Sequence, residues 1–301
     1  MSDVAVDGVL AELGVRPRRI LPLKVGGDGN SNWRLDLDDG QVVVLRRYHH
    51  RATAEDLAYE HAVLRHVASC GWVVPLPLTD VVQADGALHC LTAYVEGAAV
   101  QDESPGQQAR RGRDLAGLHH CLRDLELGQR PGWRSQHEGP SVHRDVDWAA
   151  CTSALSQVDP TLASWASAAA DAVATELDEL GASELPVAVV HGDFASWNVH
   201  YVDDGRLAGV LDFGLTHLDS RPYELAIART YRAPAMVAAY RSEAAALGWP
   251  LSDLEVATLE PMQRAFRVDM AAWSMDVGLR SGSFDLAMIR RQLERTGMPA
   301  P

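Results

Sequence analysis

The chain has 301 residues, 47% of them hydrophobic and 23% charged, and its formal net charge is -14 at pH 7. This length provides for two domains, each with its own core. The acidic excess argues against binding to nucleic acid or to an anionic membrane surface, since both attract positively charged proteins, but it is compatible with a cationic substrate.

The N-terminal segment, residues 1–15, has neither the basic start nor the apolar core of a secretory signal peptide. No apolar run in the chain reaches the roughly 20 residues that a membrane span needs. We therefore expect a cytoplasmic protein that acts without a membrane.

The first strands are predicted on either side of a glycine-rich segment. A strand is expected to begin over residues 20–25. The alternation of Trp33, Leu35 and Leu37 predicts a second strand, and residues 41–47 return as a third after the turn at Asp38-Asp39-Gly40. The segment between the first two strands, residues 26–32, can expose backbone N–H groups to phosphates. Gly27 and Gly29 fit the first two glycines of G-x-G-x-x-G, whereas Asn32 occupies the third position. A plain β-turn is the alternative interpretation.

A helix is predicted after the capping pattern that begins at Thr53, with Leu57, Leu64 and Val67 facing a core. Residues 78–82 and 87–93 are then expected to form a hairpin across Asp85-Gly86. We place a domain boundary near Gly97, which divides the chain into residues 1–97 and 98–301.

The second domain is predicted to be mostly helical. A helix over residues 160–180 carries one apolar stripe, and helical sequence continues to residue 293. An earlier helix contains Leu115 to Leu125, with His119 as a packing or surface residue. Residues 131–148 are irregular and rich in Trp, His and Arg, which fits either the lining of a substrate pocket or a surface loop.

The most informative stretch runs from residue 187 to residue 214. A strand over 187–190 leads into His191-Gly192-Asp193, and an antiparallel hairpin centred near Gly205 folds Asn198 back onto Asp212. An Asn and an Asp at one strand end provide the hard oxygen ligands that suit Mg²⁺. Asp193 is positioned in the sequence to accept a proton from a substrate hydroxyl.

These motifs resemble those of protein kinases: His191-x-Asp193, then Asn198, then Asp212-Phe213-Gly214. The HGD variant, with Trp197 before Asn198, is similar to the aminoglycoside phosphotransferase and choline kinase family. The resemblance implies an α+β protein-kinase-like fold with two lobes. The N-terminal lobe would be a small antiparallel sheet with one main helix, and the C-terminal lobe would be larger and mostly helical.

The resemblance also implies an activity, namely phosphoryl transfer from ATP, with Mg²⁺, to an alcohol group. Asp193 would be the catalytic residue, and Asn198 and Asp212 the metal ligands. Arg46 or Arg47 would grip the phosphates, with the family motif favouring Arg46. The remaining nucleotide contacts implied by the family lie in the glycine-rich loop, on the next helix and at the adenine-binding hinge: Gly27, Gly29, Asn30, Ser31, Asn32, Glu60, Thr92 and Tyr94.

Supporting roles are expected for three residues, Glu60, Glu224 and His191. Glu60 would pair with Arg46 as in the family, but it also fits an ordinary surface glutamate. Glu224 stands where the family usually has an aspartate that braces the catalytic loop, so a structural role is expected for it. His191 is expected to hold the loop by hydrogen bonds rather than to act as the base.

An aminoglycoside-type antibiotic is the first choice of acceptor, with antibiotic resistance as the corresponding role. Homoserine, choline-like amino alcohols and sugars are the alternatives. A nucleotide-binding pseudoenzyme that regulates a partner is a different class of hypothesis, and the intact Asp193, Asn198 and Asp212 argue against it. A protein kinase is disfavoured because the A-P-E segment is absent.

Overall fold

A computed structural model describes residues 3–23, 30–49, 51–100, 103–230 and 233–300. The chain divides into two compact units, the first formed by Met1–Gln101 with Ser196–Gly214 and the second by Asp102–Ala195 with Leu215–Pro301. The domain boundary near Gly97 stays a prediction, and the compact units differ from it by grouping the 196–214 hairpin with the first part of the chain. Among the described residues, no helix is long and apolar enough to cross a membrane.

The secondary structure over the described residues consists of ten strands, ten α-helices and four 3₁₀ helices of three residues each. The strands are β1 Pro17–Pro22, β2 Ser31–Leu37, β3 Val42–Arg47, β4 Val82–Ala84, β5 Ala87–Ala93, β6 Ala98–Ala99, β7 Val187–Val190, β8 Val199–Tyr201, β9 Leu207–Val210 and β10 His217–Ser220. The helices are α1 Asp3–Glu12, α2 Ala54–Ser69, α3 Pro105–Leu122, α4 Trp148–Ser156, α5 Pro160–Glu179, α6 Arg221–Thr230, α7 Pro234–Ala246, α8 Asp253–Ala257, α9 Leu259–Ser281 and α10 Leu286–Glu294.

The first unit contains a five-stranded antiparallel sheet in the order β1-β2-β3-β5-β4. One face of this sheet buries an apolar cluster that includes Val9 and Leu10 of α1 together with Leu35, Val43 and Leu45. Because successive side chains of a strand point to opposite faces, alternate residues of β3 enter this cluster and the residues between them lie on the other face of the sheet.

Turn and cap residues set the ends of the elements in this unit. Asp85 and Gly86 both have positive φ, 50° and 69°, as the tight turn between β4 and β5 requires. Thr53 caps α2 by accepting a hydrogen bond from the backbone N–H of Asp56. The hairpin is confirmed, but its first strand is Val82–Ala84 and not residues 78–82.

A second sheet of the first unit contains the predicted hairpin. Strands β8 and β9 pair antiparallel, with Val199 opposite Val210, and β6 pairs with β8. The backbone N–H of Val210 also donates to the carbonyl of Val73, which ties the hairpin to the segment after α2. The hairpin predicted from the sequence is confirmed.

The second unit is mostly helical, around the two-stranded antiparallel pair of β7 and β10. Its core includes five residues of the stripe predicted on α5, together with side chains of α6, α9 and α10: Leu162, Trp165, Ala169, Val173 and Leu177. The sixth predicted member, Leu180, follows the end of α5 and is 36% exposed. An antiparallel five-stranded sheet in one unit and helices in the other confirm the expected α+β class.

The irregular segment over residues 131–148 packs closely along β10. The hydroxyl of Ser135 donates to the carbonyl of Leu218 at 3.1 Å, and the N–H of Gln136 donates to Asp219 Oδ2 at 2.8 Å. The indole of Trp133 is buried against the ring of His217. The segment is therefore part of the packed unit and not a loose surface loop.

Candidate active site

Arg46 is the cation that β3 contributes to the interior of the first unit. Its buried guanidinium has Nη1 3.3 Å from Glu60 Oε1 and Nη2 3.5 Å from Asp212 Oδ1. Burial would lower the pKa of Arg46, but the carboxylates of Glu60 and Asp212 raise it above its ordinary value, so the group is charged. The structure thus brings together three residues that the sequence singled out.

Arg47, the alternative cation, belongs to the other face of β3. It lies opposite His89 of β5, whereas Arg46 lies opposite Cys90. Glu60 is only 2% exposed, so the interpretation of Glu60 as an ordinary surface glutamate is wrong.

The contacts of Arg46 leave hydrogen-bonding capacity unused. Both ion-pair distances are longer than a good N–H···O hydrogen bond. Within the described part of the chain, Arg46 Nε and Glu60 Oε1 have no hydrogen-bond partner. Since buried polar atoms are nearly always bonded, this guanidinium retains a donor for an anionic ligand.

Asn198 and Asp212 lie at the same end of the β8–β9 hairpin. The N–H of Leu211 donates to the carbonyl of Asn198 at 2.7 Å, so Asn198 lies opposite Leu211 and one residue away from the predicted pairing with Asp212. Asp212 has a φ of 57°, a left-handed conformation that is uncommon outside glycine, and its side chain is 56% exposed. An amide oxygen and a carboxylate at one hairpin end fit the donor set of Mg²⁺.

The loop that carries Asp193 is bound by the carboxylate of Glu224 on α6. Glu224 Oε2 accepts the N–H of His191 at 2.7 Å, and Oε1 accepts those of Gly192 at 3.0 Å and Phe194 at 3.2 Å. The N–H of Asp193 donates to His191 Nδ1 at 3.2 Å. The contacts expected of Glu224 and His191 are therefore present, while the side chain of Asp193 is only partly buried.

Glycine is the only residue type that fits position 192 without strain. Its φ is 86°, and a Cβ added there would lie 2.2 Å from the carbonyl oxygen of Leu215. A side chain would therefore be strained by the backbone conformation and would also collide with a backbone atom.

Glu224 is fully buried, and its surroundings keep it ionised. Burial alone would raise its pKa, but His119, His191 and the backbone N–H donors lower it below the ordinary value. His119 Nε2 lies 3.3 Å from Glu224 Oε2, and its Nδ1 lies 2.8 Å from the hydroxyl of Tyr240. His119 is thus a buried packing residue that also supports the loop-binding carboxylate.

Part of the predicted phosphate loop lies outside the described residues, namely Gly27 and Gly29. The side-chain carbonyl of Asn30 accepts the N–H of His49 at 2.9 Å. Ser31 and Asn32 lie in β2, opposite Arg47 and Arg46 respectively. The loop therefore ends beside Arg46, and its role in binding phosphate stays a prediction.

Thr92 and Tyr94 lie at the end of β5. Thr92 is buried between Val44 of β3 and Pro77. The guanidinium carbon of Arg34 lies over the ring of Tyr94, 5.0 Å from the ring centroid. Adenine recognition by the backbone at these two residues stays a prediction.

Tyr48 was missed by the sequence analysis, although it lies two residues after Arg46 on the same face of the chain. Its ring lies 5.1 Å from the Arg46 guanidinium, and its hydroxyl is 2.8 Å from His61 Nε2. Burial, helped by Arg65 and Arg46, lowers the pKa of His61 to about 4, so the imidazole is neutral near pH 7. Continuing the side-chain alternation of β3 by one residue would have placed Tyr48 on the same face as Arg46.

Arg111 and Glu103 were also missed. Arg111 is fully buried on α3, four residues before Leu115 on the apolar stripe. Its position on that stripe could have indicated that Arg111 is buried. The sequence does not identify the acidic partner that a buried arginine needs.

Residues 22–257 match the family model described as the phosphotransferase enzyme family. Among the similar curated proteins, the homoserine kinase of Methylobacterium nodulans is 27% identical over 277 residues, covering 86% of this chain and 78% of that protein. The homoserine kinase of Rhizobium meliloti is 28% identical over 67% of this chain, but the match spans only 60% of that enzyme.

Among the solved structures, the amicoumacin kinase hAmiN, in complex with AMP-PNP, Ca²⁺ and Ami, has a TM-score of 0.72 at 15% identity. The match covers 96% of this chain and 92% of that one. Aminoglycoside phosphotransferase APH(4)-Ia has a TM-score of 0.65 at 20% identity, with 99% and 100% of the two chains covered. At these identities the likeness establishes the fold.

Proposed function

The chain belongs to the phosphotransferase enzyme family, and from that premise we propose that it transfers the terminal phosphoryl group of ATP to a hydroxyl of a small molecule that also carries an amino group. The observation that carries this proposal is the contact of buried Arg46 with both Glu60 and Asp212. It joins a cation suited to phosphates with a carboxylate suited to a divalent metal.

Arg46 is the proposed partner of the nucleotide phosphates. Its fork can form two parallel hydrogen bonds with phosphate oxygens, and Glu60 orients the fork from α2. The segment from Gly27 to Asn32 is proposed to cover the phosphates, and the backbone near Thr92 and Tyr94 to bind adenine.

Asn198 and Asp212 are the proposed ligands of Mg²⁺, since the two residues occupy one end of the β8–β9 hairpin. When bound, the metal ion supplies positive charge that offsets the charge developing on the transferred group. The left-handed backbone of Asp212 is a strained conformation of the kind found at functional sites.

Asp193 is proposed to accept the proton of the acceptor hydroxyl. In the reaction the hydroxyl oxygen forms a bond to the terminal phosphorus, the bond from that phosphorus to the bridging oxygen of ADP breaks, and the hydroxyl proton moves to the carboxylate. Glu224 and His191 hold the backbone of this loop and thereby orient the base. The reaction consumes ATP, which supports the cytoplasm as the proposed location.

For the acceptor, the curated relatives favour a small amino alcohol of the homoserine class, since the homoserine kinases named above match most of the chain. An aminoglycoside is the second candidate, because aminoglycoside kinases share the fold. Both classes combine a hydroxyl with an ammonium group. The protein's net charge of -14 suits the polycationic aminoglycosides, whereas homoserine also carries a carboxylate and is neutral overall.

The test is phosphate transfer from Mg-ATP to homoserine, choline, two aminoglycosides and a neutral sugar, with the phosphorylated product identified by mass. We expect product from an amino-bearing member and none from the neutral sugar. Product from the sugar alone would contradict the acceptor class, and ATP binding without transfer to any member would favour the regulatory pseudoenzyme.

A further inference from the structure

Every backbone polar group of Asp193 and Phe194 has a hydrogen-bond partner within the second unit. The N–H of Asp193 donates to His191, and its carbonyl accepts the N–H of Ala195 at 2.8 Å. The N–H of Phe194 donates to Glu224 at 3.2 Å, and its carbonyl accepts from Arg111 Nη1 at 2.8 Å. The fourth contact comes from a side chain to which neither the motifs nor the family resemblance assigns a role.

Arg111 reaches this carbonyl from α3, with 2% of its surface exposed. Its other two nitrogens bind Glu103, with Nε 2.6 Å from Oε1 and Nη2 2.6 Å from Oε2. A buried guanidinium is tolerated when its charge and its donors are satisfied. The bidentate carboxylate neutralises the charge and binds two of the three nitrogens, and the Phe194 carbonyl binds the third. Glu103 therefore fixes the fork so that Nη1 faces Phe194.

We propose that Arg111, oriented by Glu103, is a positioning residue for the proton acceptor Asp193, an inference that rests on the proposed function. Arg111 and Glu224 lie on two different helices and bind the two backbone groups of one residue, directly after Asp193. With those groups fixed, the carboxylate of Asp193 keeps only its side-chain torsions as freedom. Loss of one anchor lets the loop shift, and a shift of about 1 Å at a reacting group can lower a rate on the order of 100-fold.

A second arginine–glutamate pair that binds through two nitrogens provides the control, although its side chains are more exposed, 27% and 35% against 2% and 11% for Arg111 and Glu103. Arg264 on α9 binds Glu176 on α5 through two nitrogens, and among the described contacts it makes no bond to the loop of Asp193. Arg111→Lys and Arg264→Lys each retain the charge and lose the planar fork, but only the first removes an anchor of the loop.

The experiment measures kcat and the KM for ATP in both variants, with and without Asp193→Ala. We expect Arg111→Lys to lower kcat by about 10- to 100-fold with little change in the KM for ATP, and Arg264→Lys to change neither more than about twofold. A residue that acts through Asp193 has nothing left to position in Asp193→Ala, so Arg111→Lys should change the residual rate of that variant by less than about threefold. Equal falls in both backgrounds would overturn the proposal.

Amide hydrogen exchange of the loop separates this proposal from the proposed function. In Arg111→Lys the peptide spanning residues 191–198 should exchange faster than in the wild type, while peptides of α5 keep their rates. Unchanged exchange in the loop would overturn the anchoring role whatever the activity. A wild-type protein that phosphorylates no acceptor would instead overturn the proposed function, and Arg111 would then be a structural anchor only.

Discussion

Arg46 Nη2 lies 3.5 Å from Asp212 Oδ1, which joins the central strand of the first sheet to the residue two positions after β9. The contact links the proposed phosphate site to the proposed metal site within one compact unit. The same guanidinium contacts Glu60, so a single buried side chain lies between two carboxylates.

Arg46→Met should raise the KM for ATP by about tenfold or more, because charge-assisted hydrogen bonds to the phosphates are lost, and should destabilise the protein. The substitution leaves the buried carboxylate of Glu60 without its cation, and a broken buried ion pair costs about 3 to 5 kcal/mol. Urea unfolding and initial rates at varied ATP concentrations measure the two effects. Arg47→Met is the control, because Arg47 belongs to the other face of β3. An equal rise in KM for that variant would contradict the assignment of Arg46.

Glu224→Gln should lower both kcat and stability, because three backbone N–H groups lose a charged acceptor. The loss in unfolding free energy is expected to be about 2 kcal/mol. A wild-type kcat in this variant, measured well below its melting temperature, would contradict the role of the carboxylate in ordering the loop.

Glu224 should also determine how the stability of the protein falls at acidic pH. The folded-state pKa of Glu224 lies below its ordinary value of 4.5. Its ionised form therefore stabilises the fold above pH 4.5, and this contribution is lost as the pH falls through the lower, folded-state pKa. Glu224→Gln should flatten that part of the profile, as thermal unfolding across pH 3 to 6 would show. An unchanged acid limb would speak against this linkage.

Asp269 gives the opposite pH dependence. Burial raises its pKa from 3.8 to about 6, although Ser141 and the N–H of Val142 partly oppose the shift. The fold therefore favours the protonated acid, and the resulting stability, complete below pH 3.8, is lost as the pH rises through about 6. Asp269→Asn should raise the unfolding free energy at pH 8 by about 2 to 3 kcal/mol and leave it nearly unchanged at pH 4. A loss of stability at pH 8 would show that the carboxylate is needed in its charged form.

Gly192→Ala should inactivate the enzyme, whereas Gly181→Ala should not. Both glycines have positive φ, 86° and 72°, but only at Gly192 would the new Cβ meet a backbone oxygen, that of Leu215 at 2.2 Å. The left-handed conformation alone costs an alanine about 1 to 2 kcal/mol, which Gly181→Ala measures by itself. An active Gly192→Ala enzyme would contradict a rigid loop before Asp193.

Much of the fold followed from local signals in the sequence. Turns, helix caps and apolar periodicity depend on residues that are close in the sequence. These signals therefore predicted the β8–β9 hairpin, the capped helix after Thr53 and the apolar stripe of α5. Predictions of strand boundaries were wrong where the boundary depends on pairing with another strand. The strand predicted over residues 78–82 begins only at Val82, because the preceding residues Leu76 and Leu78 each share a single backbone hydrogen bond with the β5 region.

The site was only partly predictable for the same reason. Motifs identified Asp193, Asn198 and Asp212, and alternation with the family motif favoured Arg46 over Arg47. The partners of these residues come from distant positions: Arg111 reaches a carbonyl 83 residues away, and Glu224 reaches His191 across 33 residues. No local pattern specifies such contacts, so the contacts of Arg111 with Glu103 and with the Phe194 carbonyl emerged only from the structure.

The most direct test of the account compares turnover with nucleotide binding in Asp193→Asn, using the acceptor on which the wild type is active. The account predicts that kcat falls by about 10²- to 10⁴-fold, the usual contribution of a general base, while the Kd for Mg-ATP stays within about twofold, because Arg46, Asn198 and Asp212 are intact. A variant that keeps its kcat, or that loses nucleotide binding as fully as turnover, would contradict the assignment of Asp193 as the proton acceptor.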